Sequence, residues 1–288
     1  MDIIKNPNGH LAHLNGNRGP RLAPTLAQAE MHARAQAAQR RNTTAVSPMA
    51  VHIDVERLER AGKLVPLSRR SAMSEALRRI KLPLLAHAKA RRSSALNQRG
   101  ALIMVTSALP GEGKTFFATN LAMSMAAEID HSVLLVEADV IRPTLLQQLG
   151  VRAGFGLLDV LSRDGLDVND VVLPTNVPKL SLLPVGTPHP HSTEMLASSA
   201  MESVLLSLMA SDPNRIVIFD VPPLLVASGA QALASRVGQV VMVVEAQRTP
   251  SPDVARAFAM LDDRPLVMSV LNKIPESALA HSHANYYG

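Results

Sequence analysis

The chain has 288 residues, 47% of them apolar, no cysteine and a formal net charge of +5. That length and apolar content suffice for one sizeable core plus extensions. The lack of cysteine excludes a disulfide framework, a thiolate metal site and an iron–sulfur reductase, and fits a reducing compartment. The charge is unevenly placed. Residues 1–100 carry 18 Lys/Arg and 6 Asp/Glu, a balance of +12, while residues 101–288 carry 11 and 18, a balance of −7. A basic arm on an acidic domain points to an anionic partner. Nucleic acid is the least favoured of these, because the arm has no aromatic residue to stack on bases and no groove-reading motif. An anionic membrane surface or an acidic protein face fits better.

Residues 1–50 are rich in Asn, Gly, Pro, Ala, Gln and Arg and read as a disordered extension, with a weak helical pattern over Leu26 to Arg41. They contain no apolar core of a secretory signal, and no run in the chain approaches the ~20 apolar residues of a membrane span. From Val51 to Leu67, Ile53, Val55, Leu58, Ala61 and Leu64 recur at near-helical spacing, with Gly62 ending the helix. Ser74 to Ala90 reads as a basic amphipathic helix, broken or kinked at Pro83. On it Glu75, Arg78 and Lys81 lie three apart and share a face suited to a subunit contact.

Beyond residue 100, apolar runs alternate with helical segments. Strands are predicted at Ala101 to Val105, Ser132 to Val136, Leu180 to Leu183, Arg215 to Phe219, Gln239 to Val244 and Leu266 to Leu271. Helices are predicted at Phe116 to Ala127, Thr193 to Met209, Ala227 to Ala234 and Pro252 to Leu261. Continuous apolar strands separated by helices argue an α/β fold with a P-loop NTPase-like parallel sheet flanked by helices. Ligands of such sheets bind outside the carboxyl ends of the strands.

The first of these strands runs into Ala108, Leu109, Pro110, Gly111, Glu112, Gly113, Lys114 and Thr115, then into a helix opening at Phe116. Strand, glycine loop, Gly-Lys-Thr and helix is the setting of a phosphate-binding loop. Loop amides and the helix N-terminus attract anions. Lys114 is expected on the β- and γ-phosphates and the Thr115 hydroxyl on Mg²⁺. Ala108 stands where the usual first glycine would be. The whole stretch from Ala108 to Phe116 is the expected ATP-binding segment. Two acidic clusters fall at the same edge of the sheet. Asp220 ends an apolar strand before Val221, Pro222 and Pro223, the position of a carboxylate beside Mg²⁺. Glu137 and Asp139 end another, followed by Ile141, Arg142 and Pro143.

The Pro-Gly-Glu-Gly-Lys-Thr loop, the acid-x-acid strand end and the Asp-x-Pro-Pro turn together resemble the bacterial tyrosine autokinases (BY-kinases) of exopolysaccharide export. The similarity covers roughly residues 50–275. Residues 102–115, 132–139 and 238–245 most resemble the branch found with exosortase/PEP-CTERM polysaccharide loci. The resemblance implies ATP- and Mg²⁺-dependent phosphorylation of tyrosines in the chain's own C-terminal tail. It also implies a membrane chain-length-determinant (Wzz-like) partner, a homo-oligomeric ring, and a place at the inner face of the plasma membrane. It makes Lys114, Glu137, Asp139, Asp220 and Arg142 the catalytic residues, with Lys114 and Mg²⁺ on the γ-phosphate, Thr115, Asp139 and Asp220 on Mg²⁺, and Glu137 taking the tyrosine proton. It matches Glu75, Arg78 and Lys81 to a ring-contact motif of Glu-x-x-Arg-x-x-Arg, with Lys in the last place. Three positions depart from the pattern: Glu137 where Asp is usual, Ile141 where a basic residue is usual, and Gly229 where many relatives have an acid.

The chain has only two tyrosines, Tyr286 and Tyr287, both at its far end. A polar tail bearing every tyrosine suits phosphorylation between neighbours. The expected organisation is an extension over 1–50, a basic helical segment over 51–95, a P-loop kinase or ATPase domain over 96–274 and a tyrosine-bearing tail over 275–288. A Min/Par-type ATPase shares the fold but carries a second lysine early in its loop, where this chain has Leu109. A regulatory ATP-binding scaffold with little kinase activity is the other alternative.

Overall fold

The computed structural model describes residues 50–66, 71–92, 98–261 and 266–275. Residues 1–49, including the predicted helix at Leu26 to Arg41, and residues 276–288, including Tyr286 and Tyr287, lie outside the described residues.

Seven strands form one sheet: β1 (Leu102–Ser107), β2 (Ser132–Glu137), β3 (Leu173–Pro174), β4 (Leu180–Leu183), β5 (Arg215–Asp220), β6 (Gln239–Glu245) and β7 (Leu266–Asn272). Their order is β3-β4-β2-β5-β1-β6-β7, and every pair is parallel except β3 with β4. All six predicted strands are present, each within two residues of its expected ends. The interior strands are buried along almost their whole length, as apolar runs covered on both faces must be. Successive side chains point to opposite faces. Thus Ile103, Val105, Leu135, Ile216 and Ile218 enter one core with Leu121 and Met125. Leu102, Met104, Leu134, Val217 and Phe219 enter the other, with Met201, Leu205 and Leu233.

The helices are α1 (Val55–Arg60), α2 (Ala72–Arg92), α3 (Lys114–Ala126), α4 (Leu145–Leu149), α5 (Leu157–Ser162), α6 (Val168–Val171), α7 (Ser192–Ala197), α8 (Ser199–Ser211), α9 (Ser228–Ala234) and α10 (Ser251–Ala259). Helix α3 is buried nearly all round, because it packs on the sheet and is covered by α2. Gln239 ties α2 to the sheet: its buried amide donates to the carbonyls of Leu84, at 3.0 Å, and Gly100, at 2.6 Å.

Four expectations are corrected. In the described part of the Val51-to-Leu67 segment, only residues 55–60 are helical. Val51 bridges to Thr175, the Asn176 amide clasps Ile53, and Asp54 caps α1 through Arg57 N–H, so the chain enters the helix late. Helix α2 runs through Pro83 without a break. Pro83 and Leu82 face solvent, while Leu77, Leu84 and Ala88 on either side are anchored in the core. The carbonyl that proline leaves unpaired is that of Arg79, whose residue is exposed, so solvent can reach it. The helix expected over Thr193 to Met209 is two helices, divided where Ser198 turns extended (ψ 165°). Finally, Glu75, Arg78 and Lys81 do not present one open face. Glu75 and Arg78 are exposed and 3.9 Å apart. Lys81 is 7% exposed and held by the Ser124 carbonyl at 2.9 Å and the Glu128 carboxylate at 2.6 Å. Its charge is spent fastening α2 to α3, which removes it from the expected subunit contact.

Candidate active site

The loop between β1 and α3 turns back on itself through two residues in the left-handed region, Gly111 (φ 89°) and Gly113 (φ 97°). Only glycine adopts these angles without strain. At Gly113 a Cβ would also lie 2.2 Å from the Asn272 side chain. The loop faces a cavity of about 380 Å³. Its walls are Pro110, Gly111, Gly113, Lys114, Thr115 and Phe116 from the loop and α3, Asp139, Ile141, Arg142, Thr144 and Gln148 from the segment after β2, and Pro222, Pro223 and Val226 from the segment after β5. The sheet order explains this assembly. Strand β5 lies between β1 and β2, so three neighbouring carboxyl ends open onto one space.

Lys114 is the electrostatic centre. Its ammonium lies 2.5 Å from Asp139 Oδ2 and 3.7 Å from Asp220 Oδ1. Both carboxylates are nearly inaccessible, at 4% and 1% exposure. Burial pushes the Asp220 carboxyl up to about 6, against the pull of Lys114 and the Thr115 hydroxyl, while Asp139 and Glu137 raise it further. Among the described residues, Oδ1 of Asp220 has no hydrogen-bond donor. Asp139 accepts through Oδ1 from the amides of Ile141, at 3.3 Å, and Arg142, at 3.0 Å, which keeps Oδ2 turned to Lys114.

The structure brings together Lys114, Thr115, Asp139, Asp220 and Arg142, with Arg142 exposed at the mouth. It places Glu137 elsewhere. That carboxylate is 4% exposed, is absent from the cavity wall, and accepts from the amides of Leu145 (2.8 Å), Leu146 (3.3 Å) and Val185 (3.5 Å). Burial lifts its carboxyl above the usual range although those amides oppose the shift. It is the anchor for the start of α4, and its geometry does not fit the expected proton acceptor. Three residues of the predicted ATP-binding stretch also fall behind the wall. Ala108 is fully buried and Leu109 half-buried. The Glu112 side chain, 2% exposed, points back to accept from Leu109 N–H at 2.7 Å, Glu245 N–H at 3.3 Å and the Thr249 hydroxyl. Ile141 and Val226, about half exposed, give the mouth an apolar rim. Sequence reasoning missed Thr144, Gln148 and Val226; Val226 had a signal, since it closely follows the Pro-Pro turn.

Among the described residues no group of three or more His, Cys, Asp and Glu side chains is arranged to hold a metal by itself. No described helix is long and apolar enough to cross a membrane.

No protein-family model matches the chain. It is 31% identical over 188 residues to a tyrosine-protein kinase of Bacillus subtilis, YwqD, covering 65% of this chain and 77% of that one. It is 30% identical over 190 residues to the putative tyrosine-protein kinase EpsB of Ralstonia nicotianae, of which it spans 25%. Among solved structures it resembles the BceF tyrosine kinase domain, with a TM-score of 0.60, 25% identity, and coverage of 83% of this chain and 98% of that one.

Proposed function

Because the chain belongs to the bacterial tyrosine-protein kinases, we propose that it moves the terminal phosphoryl group of ATP onto Tyr286 and Tyr287 of its own kind. The observation that carries the reading is a lysine ammonium at the foot of a glycine loop, held between two buried aspartates. Phosphoryl transfer needs little covalent help from the protein; positioning and neutralisation of charge supply most of the rate. Lys114 and Arg142 are the cations for the phosphate oxygens. The phenol oxygen bonds to the γ-phosphorus as the bond from phosphorus to the ADP oxygen breaks. Asp139, the carboxylate among the lining residues, is engaged by Lys114, so the phenol proton passes to a phosphate oxygen and on to solvent rather than to Glu137.

The residues also fit a divalent cation. A buried Asp220 oxygen that accepts no hydrogen bond among the described residues, the Asp139 carboxylate and the Thr115 hydroxyl are hard oxygen donors, and Mg²⁺ commonly binds one or two carboxylates plus substrate phosphates. Thr115, Asp139 and Asp220 are the residues that would hold it. When bound, it supplies charge neutralisation at the phosphate oxygens.

The wider setting belongs to the same proposal: a regulator of exopolysaccharide export in the exosortase/PEP-CTERM branch, working at the inner membrane face with a chain-length-determinant partner. The exposed Glu75–Arg78 pair supports a ring contact, now without Lys81. The basic N-terminal arm supports contact with anionic lipid.

The test is to incubate parent, Lys114→Met and a Tyr286→Phe/Tyr287→Phe double variant with ATP and Mg²⁺ and to map phosphate. Phosphotyrosine at 286 or 287 in the parent alone is expected, with unchanged ATP binding in the double variant. ATP hydrolysis without phosphotyrosine would overturn the kinase reading in favour of a regulatory ATPase.

A further inference from the structure

The loop that faces the cavity is held from behind by the ends of β6 and β7. Asn272 Nδ2 donates to the Glu112 carbonyl at 2.8 Å. Lys273 Nζ donates to the Gly111 carbonyl at 2.7 Å and pairs with Glu245 Oε2 at 3.0 Å. Neither Asn272 nor Lys273 lines the cavity. Lys273 keeps this place in the left-handed region (φ 55°), which is uncommon for a residue with a Cβ.

A trans peptide unit is planar, with its C=O and N–H pointing in opposite directions. Fastening the Gly111 carbonyl to Lys273 therefore turns the Glu112 N–H away from β7. Fastening the Glu112 carbonyl to Asn272 does the same for the Gly113 N–H. Neither N–H has a protein acceptor among the described residues. Two donors are thus left unpaired, aimed away from the strand ends, in a loop whose glycines form the cavity wall. Glu112 adds a third tie, since its buried carboxylate binds the Glu245 amide and the Thr249 hydroxyl.

We propose that Asn272 and Lys273 are positioning residues for the phosphoryl transfer, fixing two loop carbonyls so that the following amides are aimed at the nucleotide's phosphates before it arrives. The proposal rests on the nucleotide reading above. It differs from a contact with the base or ribose, which residues at a strand end beside a nucleotide pocket could also make.

The two are separated by displacing a fluorescent ATP analogue, with Mg²⁺ present, by ATP and by inorganic triphosphate. Parent, Asn272→Ala, Lys273→Met and Lys273→Arg chains are compared, each shown to be folded by its thermal transition. Pre-aimed amides act on the phosphates alone. Asn272→Ala and Lys273→Met should therefore weaken both competitors by the same factor, about tenfold, as for loss of one charge-assisted hydrogen bond. Lys273→Arg, which keeps a cationic donor, should recover to within about threefold of the parent. Loss of ATP affinity with triphosphate affinity unchanged would overturn the proposal and assign the residues to the base or ribose. Unchanged affinity for both would also overturn it. A parent chain that binds neither competitor would instead remove the nucleotide reading on which it rests.

Discussion

Replacing Asp220 by Asn should abolish phosphoryl transfer and make the protein more stable. Asp220 is 1% exposed, and one of its oxygens lacks a donor among the described residues. Its carboxyl titrates at about 6 in the fold against 3.8 in a free chain. The sign follows from proton linkage. Below pH 3.8 the group is protonated in both states and costs nothing. Between the two values the unfolded chain has released its proton while the folded chain keeps it, so stability falls as pH rises. Above about 6 the full cost of an ionised buried carboxylate is present. Each tenfold change in proton affinity is worth about 1.4 kcal/mol, so the penalty at neutral pH is of order 3 kcal/mol. An Asn of the same shape avoids it and can keep the Thr115 hydroxyl as a partner. For a chain of this size that corresponds to a thermal midpoint raised by roughly 5–6 °C. The assay is thermal or urea denaturation of both proteins in EDTA, without nucleotide, from pH 4 to pH 7.5. The gap should be small at pH 4 and widen through pH 4–6. A variant less stable than the parent at pH 7, or a gap that does not change with pH, would refute the reasoning.

The other expectations concern positions 137 and 141. Glu137→Gln should leave the phosphorylation rate within about threefold of the parent, whereas loss of a general base costs about 10²–10⁴-fold. The same variant should not lose stability at neutral pH in urea titration, because removing a charge that burial already disfavours offsets the lost acceptor of the Val185 N–H. Ile141→Arg, which restores a cation at the half-exposed mouth, should tighten ATP binding about threefold at low ionic strength. That gain should vanish in roughly 0.5 M salt, and isothermal titration at the two salt levels checks it.

Features written in adjacent residues were legible in the sequence. The six long strands announce themselves as apolar runs, and the glycine loop is a local pattern whose strand and helix context lies within thirty residues. What escaped depends on partners distant in the chain. Helices α4, α5 and α6 are four to six residues long, too short for an apolar period to appear. Glu137 was misread for that reason: with α4 invisible, nothing showed that its amides lay waiting for the carboxylate. Lys81 was misread because spacing alone does not say which arc of a helix is covered. Steps of three turn the side chain back by about 60° each, so Lys81 stands about 120° from Glu75, far enough round to meet α3. The ties from Glu112 to Thr249, and from Asn272 and Lys273 to the loop, span 137, 160 and 162 positions. No local pattern reports such a contact.

The sheet order gives the loop two walls of opposite chemistry. On one side β5 and β2 bring Asp220 and Asp139; on the other β6 and β7 bring the donors Asn272 and Lys273 to the loop's own carbonyls. Among the described residues, Lys114 is the cation placed between the two buried aspartates. An anion that draws Lys114 toward its phosphates uncovers their repulsion unless a second cation enters with it, because two carboxylates sharing one enclosed site resist joint ionisation. The cost of exposing the pair therefore falls on any nucleotide that arrives without a cation. Binding of the nucleotide and of the ion must then be positively coupled, each raising affinity for the other by the same factor. On the proposed reading, the acidic wall would favour a nucleotide that arrives with its cation, and the braced loop on the opposite side would meet its phosphates.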